Sequence, residues 1–403
     1  MRFPKVLIIS EFSFDSNSGG GLLFKNLFDG YPKEKIGLIH EDIMFKDSNV
    51  GLLICLKNKN KLLNTLIKFF PNKLKSFLKS ILFFVKKLKK EKHVSSDINF
   101  FHKESIQKFK PEIIYTILGS QELMLYIKYV HEYFNLPLII HIMDNWISDI
   151  KDEEIEKKNL LQYFLNSAST RIAINEKMAK IYSQKFNKKF EIVHNSLDRK
   201  KIKKINNLNK LKVITYIGSV YKNVQLDSLI RISQSVISLS NQNNDLQFQI
   251  YLPNHQLKEF KLKFPKHFSI KIGSNNFDDN EYFSLISKSN LLILASNFDK
   301  KSVNYYKYSW PAKMPSYLMS GVPIFILGPK EVFFISEAKQ KNWAYVCNQN
   351  DESKIKKSIY RILFDDKIKE ILIKNAIEES KNFEIEKMKK NFLNIINQNR
   401  ITV

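Results

Sequence analysis

The sequence predicts an α/β protein of two domains, each a doubly wound parallel sheet, facing one another across a cleft. Three observations carry this. Short apolar β-like runs alternate with helical stretches from end to end, which is the pattern of βαβ units. At 403 residues the chain exceeds what one typical core organises. Each half also opens on a strand that runs into glycine, "IISEFSFDSNSGGG" in the first and "ITYIGS" in the second.

In the first half the strand candidates are "KVLII", "VGLLICL", "EIIYTI", "PLIIHIM", "RIAIN" and "FEIVH". In the second they are "KVITYIG", "QFQIYL", "FSIKIG", "NLLILA", "VPIFIL" and "AYVC". Continuous apolar runs of this kind suit strands buried on both faces. Between the halves, residues 197–211 are polar and lysine-rich and read as a linker. The first domain is therefore placed at 1–198 and the second at 211–375. Residues 376–403 read as a helical segment expected to return to the first domain.

Open α/β sheets bind ligands outside the carboxyl ends of their strands. After the first strand come Gly19, Gly20 and Gly21, ahead of the helical "LLFKNLF". Glycines there admit a ligand close to the backbone, and the helix start offers free N–H groups. No Gly-Lys-Ser/Thr follows, so this is not a P-loop. "HIMDNW" places His141, Asp144 and Trp146 at a strand end. Asp144 is suited to accept a proton or hold a hydroxyl, or simply to cap a helix. "HNSLD" puts Asn195 and Ser196 at the hinge, where a plain turn is the alternative. In "YIGSVYKN", Gly218 follows a strand and Lys222 lies four residues on, placed to neutralise a phosphate.

The stretch 305–329, "YYKYSWPAKMPSYLMSGVPIFILGP", has its own local logic. Pro315 suits the first turn of a short helix. Gly321 suits the position just past its end, and "VPIFIL" continues as a buried strand. Lys313 lies at the N-terminal end of that helix, where an anion is favoured. A solvated lysine in an ordinary loop is the plainer reading.

The net charge is +25, which calls for an anionic partner: phosphorylated substrate, anionic membrane or nucleic acid. Twelve lysines and one acid fall between Lys57 and Lys92. Over residues 70–90 Leu74, Phe77, Leu78, Ile81, Leu82, Phe84, Val85 and Leu88 fall on one helical face, with Phe83 out of place among the lysines. Cations including Lys75, Lys79, Lys86 and Lys87 fall on the other, which is the pattern of a helix lying in a membrane interface. A helix docked on the protein's own core is the alternative. The lysines interleave with an aliphatic face and not with aromatic platforms, which argues against nucleic acid. No apolar run reaches the ~20 residues of a membrane span. Two cysteines, Cys55 and Cys347, fit a reducing cytoplasm, and no His/Cys spacing points to zinc.

Taken together, residues 308–328 resemble the donor-site segment of the family 4 glycosyltransferases, whose fold is GT-B: two facing Rossmann-like domains. The residues that carry it are Ser309, Pro311, Lys313, Tyr317, Leu318, Gly321 and Pro323. "SGGG", "AINEKMAKIYSQKF", "VHNSLD" and "YIGS" extend the resemblance over most of the chain. It implies retaining, metal-independent transfer from a nucleotide-diphosphate sugar, without a further cofactor, to a glycan or lipid-linked acceptor. Cell-surface polysaccharide or lipopolysaccharide synthesis is the setting it suggests, and the lysine-rich helix adds an expected place on the cytoplasmic face of a membrane. In the mechanism the resemblance implies, Lys313 and, as a shifted candidate for the family's arginine, Lys222 stabilise the departing diphosphate, and Asp144 orients the acceptor. Gly218, Ser219, Tyr308, Ser309, Pro311, Ser316 and Asn195 hold the donor.

Three positions depart from the pattern. The family's two glutamates, eight residues apart, are replaced here by Tyr308 and Ser316. The arginine after the glycine turn is Ser219. A catalytically impaired scaffold that binds membrane or nucleic acid, or a nucleotide-sugar epimerase, are the competing readings.

Overall fold

The computed structural model describes residues 2–14, 19–41, 50–56, 100–146, 155–202, 211–242 and 245–399. The lysine-rich segment with Lys75, Lys79, Lys86 and Lys87 lies outside the described residues. Among those described, no helix is long and apolar enough to cross a membrane.

The first domain runs β1 Val6–Ser10, α1 Gly19–Leu27, β2 Ile36–His40, β3 Leu52–Cys55, α2 Phe100–Phe109 and β4 Ile113–Ile117. It continues through α3 Gln121–Phe134, β5 Leu138–Ile142, α4 Ile155–Ser167, β6 Thr170–Ala173, α5 Glu176–Phe186 and β7 Glu191–Ile192. The strands pair in parallel in the order β3-β2-β1-β4-β5-β6-β7. β1, β4 and β5 are buried along their whole length, as their unbroken apolar sequences require.

The second domain runs β8 Lys212–Ile217, α6 Leu226–Ser240, β9 Leu246–Leu252, α7 Asn254–Phe260, β10 Ile270–Ser274, α8 Asp279–Lys288 and β11 Leu291–Ala295. Then come α9 Lys300–Tyr306, α10 Met314–Met319, β12 Ile324–Leu327, α11 Phe333–Lys341, β13 Tyr345–Cys347 and α12 Glu352–Phe364. Its strand order is β10-β9-β8-β11-β12-β13, again parallel. In each sheet the chain reverses its winding at the first strand of the domain. The switch points therefore lie between β1 and β4 and between β8 and β11, where a ligand crevice opens.

β2 has no counterpart in the sequence reading. Gly37 interrupts its apolar run "IGLIH" and weakens the strand signal. The glycine is there for packing: a Cβ at Gly37 would lie 2.7 Å from the Phe109 ring. The C-terminal stretch also departs from one continuous helical period. It breaks at Phe383 into α13 Asp366–Ser380 and α14 Ile385–Asn399. α13 stays with the second domain, where Ala376 joins the core around α10. α14 crosses back, and its Met388, Phe392 and Ile396 pack with Val6, Phe24 and Tyr115 of the first domain. Truncating the fully buried Phe392 to alanine would cost about 3–5 kcal/mol.

The chain thus passes between the domains twice, side by side. Leu197 N–H donates to Phe383 C=O at 3.0 Å, and Leu197 pairs with Glu384 as a parallel bridge. Two asparagines tie the domains elsewhere. Asn145 Nδ2 donates to Asn304 C=O at 2.8 Å, and Asn175 Nδ2 to Tyr308 C=O at 2.7 Å.

Candidate active site in the interdomain cleft

The two switch points face each other across a cleft of about 790 Å³. On the second domain its wall begins at the end of β8. Gly218 has φ +135°, a conformation that L side chains rarely adopt, and its N–H donates to Tyr251 C=O at 2.9 Å. The absence of a side chain has a second use. A Cβ there would lie 2.6 Å from Lys313 Nζ, so the glycine leaves the space that the ammonium fills.

Lys313 caps the start of α10, and its Nζ lies 3.9 Å from the centroid of the Tyr216 ring. Tyr216 is buried and donates its hydroxyl to Ser219 C=O at 2.7 Å, which fixes the ring beneath the lysine. Lys313 keeps part of its surface on the cleft. Desolvation by the surrounding protein pushes the ammonium down to about 7. A cation held this way, with no carboxylate paired to it among the described residues, is suited to an anionic guest.

One helical turn on, Ser316 Oγ lies 2.7 Å from Lys313 C=O and 2.6 Å from the Tyr282 hydroxyl. Burial pushes the Tyr282 phenol up to about 12, with the Ser316 bond acting against it, so it stays protonated. Ser309 and Pro311 also line the cleft, as do Gly19, Gly20, Asn195, Ser219 and Asp144. Asn195 is only 5% exposed, and its Oδ1 has no hydrogen-bond partner among the described residues. Its Nδ2 reaches Gly19 C=O at 3.5 Å, across to the start of α1. Gly19 and Gly20 form the first helical turn, and a Cβ on Gly19 would come within 3.2 Å of Ala312 in the other domain.

Not every expected residue arrives at this place. Lys222 is exposed and does not line the cleft, while its carbonyl accepts from Asn297 Nδ2 at 3.0 Å. Tyr308 packs its ring against the first domain's core instead of lining the cleft. Gly21 is buried within α1. His141 points away too. It is fully buried, its Nδ1 is 2.8 Å from the Tyr115 hydroxyl, and burial pushes its pKa down to about 3. Asp144, two positions past the end of β5, is exposed on the cleft wall.

Other cleft residues went unmarked in the sequence. Lys25 on α1 and Lys201 both reach Asp279 at the start of α8, at 3.1 and 3.3 Å, so they tie the cleft's two sides. Burial would raise the Asp279 carboxyl, but the two lysines outweigh it and hold the pKa below its usual value. Among the described residues, no group of His, Cys, Asp and Glu is arranged to hold a metal ion.

The chain matches no protein-family profile and no curated protein sequence. Solved structures of the same fold do match over nearly all of it. The sucrose-phosphate synthase of Thermosynechococcus elongatus is 13% identical, with 98% of this chain and 99% of that one covered at a TM-score of 0.63. The UDP-glucose complex of Anabaena HepE is 9% identical over 98% and 99% of the two chains, at a TM-score of 0.64. An α,α-trehalose-phosphate synthase (UDP-forming) from Burkholderia vietnamiensis is 8% identical over the same shares, at 0.63. The chain has the GT-B fold.

Proposed function

We propose that this protein is a glycosyltransferase that takes a sugar from a nucleotide-diphosphate donor bound against its second domain. The observation that carries the reading is Lys313, a desolvated ammonium set against the Gly218 turn at the sheet's switch point. The structural neighbours named above include a UDP-glucose complex and a UDP-forming synthase, which supports a uridine donor.

In the proposed reaction the diphosphate lies along Gly218 and Ser219, with its charge on Lys313. The acceptor hydroxyl enters from the Asp144 side, and Asp144 orients it. A bond forms from the acceptor oxygen to the anomeric carbon while the bond to the leaving phosphate breaks. The leaving phosphate oxygen takes the acceptor's proton, on the same face, so configuration is retained. Stabilising the departing diphosphate is an electrostatic task, and a preorganised cation in a cleft performs it without metal or further cofactor. The acceptor is proposed to be a glycan or lipid-linked sugar of a cell-surface polysaccharide or lipopolysaccharide. The +25 charge supports placing the protein against the anionic inner face of a membrane.

Calorimetry with UDP, UDP-glucose and GDP tests the reading. The expected result is saturable binding of a nucleotide diphosphate that Lys313→Ala weakens ten- to a hundredfold, the loss of one charge-assisted bond. Binding indifferent to Lys313→Ala removes the reading. Tyr308 and Ser316, in place of two carboxylates, favour one second reading, a scaffold that binds nucleotide without turnover. Hydrolysis and transfer assays on the nucleotide-loaded protein separate the two.

A further inference from the structure

Gln225 stands at the N-cap of α6, where a short side chain bonded to the helix's first N–H groups is favoured. Its side chain makes no such bond. Asn297, just past β11, supplies the cap instead: its Oδ1 accepts from Ser228 N–H at 3.1 Å, while its Nδ2 donates to Lys222 C=O. Gln225 is left to turn back over the loop after β8, where it is 6% exposed. The orientation of its amide follows from its partners. Tyr221 N–H can only donate, so the atom 3.2 Å away is Oε1. Ser219 C=O can only accept, so the atom 2.9 Å from it is Nε2. The other Nε2 proton points to the Tyr216 hydroxyl oxygen at 3.3 Å, and that hydroxyl donates to the same Ser219 carbonyl at 2.7 Å. Both protons of the amide are used inside the protein, and one side chain joins residues 216, 219 and 221. Lys313 Nζ lies 3.9 Å from the centroid of the Tyr216 ring held in this way.

From this geometry we infer that Gln225 is a positioning residue: it fixes the Tyr216 ring and the Ser219 turn against which Lys313 is set, and acts on a bound anion only through them. The inference rests on the proposed function and adds to it a residue that makes its own bonds entirely within the protein. Without the amide, the Tyr216 hydroxyl keeps one bond, to Ser219, and no side chain ties that turn to Tyr221. The ring is then free to shift, and the enclosure of the ammonium loosens with it. The titratable group that the structure sets against the ammonium, among the described residues, is the Tyr216 phenol, which burial keeps protonated. No charged neighbour contributes to the lowered pKa of Lys313; desolvation is its cause. A looser enclosure admits water, so the lysine holds its proton to higher pH.

The test takes two readouts on the whole chain, in wild type, Gln225→Met, Tyr216→Phe and the double variant. The first is NMR of the unliganded protein with isotope-labelled lysine, in which the lysine titrating near neutrality is assigned by its loss in Lys313→Arg. Its midpoint should lie near 7 in wild type and about one pH unit higher in Gln225→Met. Phe392→Ala, which weakens the fold from the other domain, should leave the midpoint in place. The second readout is calorimetry with UDP. At pH 6.5 Gln225→Met should bind about three- to tenfold more weakly, the size of one neutral hydrogen bond. From pH 7.5 to 9 its affinity should fall about tenfold, in place of about thirtyfold for wild type. Tyr216→Phe cuts the same link from the other end, so the double variant should match the weaker single variant and not the sum. Melting curves establish that each variant folds, and Tyr216→Phe carries the test if Gln225→Met does not. A midpoint that stays put in the folded variants overturns the inference, as does one that moves equally in Phe392→Ala. A midpoint that moves as expected while wild type binds no UDP upholds the positioning of Lys313 and removes the proposed function instead.

Discussion

Lys313 gives the site a pH dependence that can be worked out in advance. In the unliganded protein, desolvation holds its ammonium near pH 7, against 10.5 for an ordinary lysine. A bound diphosphate places at least two negative charges beside it and returns it toward the ordinary value. Below pH 7 the lysine is charged both before and after binding, and it contributes no slope. Above pH 7 the free lysine is neutral, so binding must take up a proton, and affinity falls as pH rises. The slope is about one decade per pH unit. From pH 7.5 to 9 that makes about thirtyfold, or ~2 kcal/mol at 1.36 kcal/mol per unit. The window lies above the range in which ordinary imidazoles and a terminal phosphate titrate. The neighbouring phenols of Tyr216, Tyr282 and Tyr317 are all raised by burial and keep their protons throughout.

Calorimetry of UDP binding at pH 8, in two buffers of different ionisation enthalpy, measures the proton directly. About 0.9 proton should be taken up per site, the neutral fraction of a group titrating near 7. Lys313→Arg keeps the charge and never loses its proton, so its binding should be flat from pH 7.5 to 9. No proton uptake in wild type, or an unchanged slope in Lys313→Arg, would refute the argument.

Other expectations follow from single residues. Gly218→Ala forces an L side chain to φ +135° and puts its Cβ 2.6 Å from Lys313 Nζ. Strain of about 1–3 kcal/mol should appear in denaturant unfolding, together with weakened nucleotide binding. Asp144→Asn should slow sugar transfer at least tenfold while leaving the UDP dissociation constant within about twofold, as expected of one hydrogen bond to the acceptor only. Reversing Lys75, Lys79, Lys86 and Lys87 to glutamate should release the protein from anionic vesicles in flotation across a salt series. The loss is at least several kcal/mol, at ~1 kcal/mol per basic residue. A wild type that never floats at low salt would instead place this segment against the protein itself.

Both sheets were legible in the sequence because their central strands are buried on two faces and so lack polar interruptions. "KVLII", "EIIYTI" and "NLLILA" could be little else, and they became β1, β4 and β11. The strand that escaped, β2, did so because Gly37 answers to the Phe109 ring, a contact 72 positions away. The break between α13 and α14 escaped for a related reason. The helical period runs through it, while the bend is set by Phe383 packing at the crossing between domains.

The site divides along the same line. Gly218 and Lys313 were marked by a glycine turn and a helix start, Ser309, Pro311 and Ser316 by the resemblance alone, and all five line the cleft. Lys222 and Tyr308 were misplaced for want of geometry. A residue after a turn faces either side of the wall, and the sequence does not say which. Tyr282 could not have been found at all. It lies in α8, in "DNEYFSLISK", where an aromatic at helical spacing reads as ordinary core. Only the fold brings its hydroxyl within 2.6 Å of Ser316, 34 positions on. Yet that pairing bears on the feature that most weakened the sequence argument, the missing glutamate at 316. A carboxylate offers lone pairs and a charge. The Tyr282–Ser316 pair is two neutral hydroxyls, and among the described residues only burial, not a carboxylate, shifts Lys313. If the cleft takes a diphosphate as proposed, a serine at 316 removes a negative charge from the neighbourhood of Lys313 as well as a ligand group, and the two effects oppose each other.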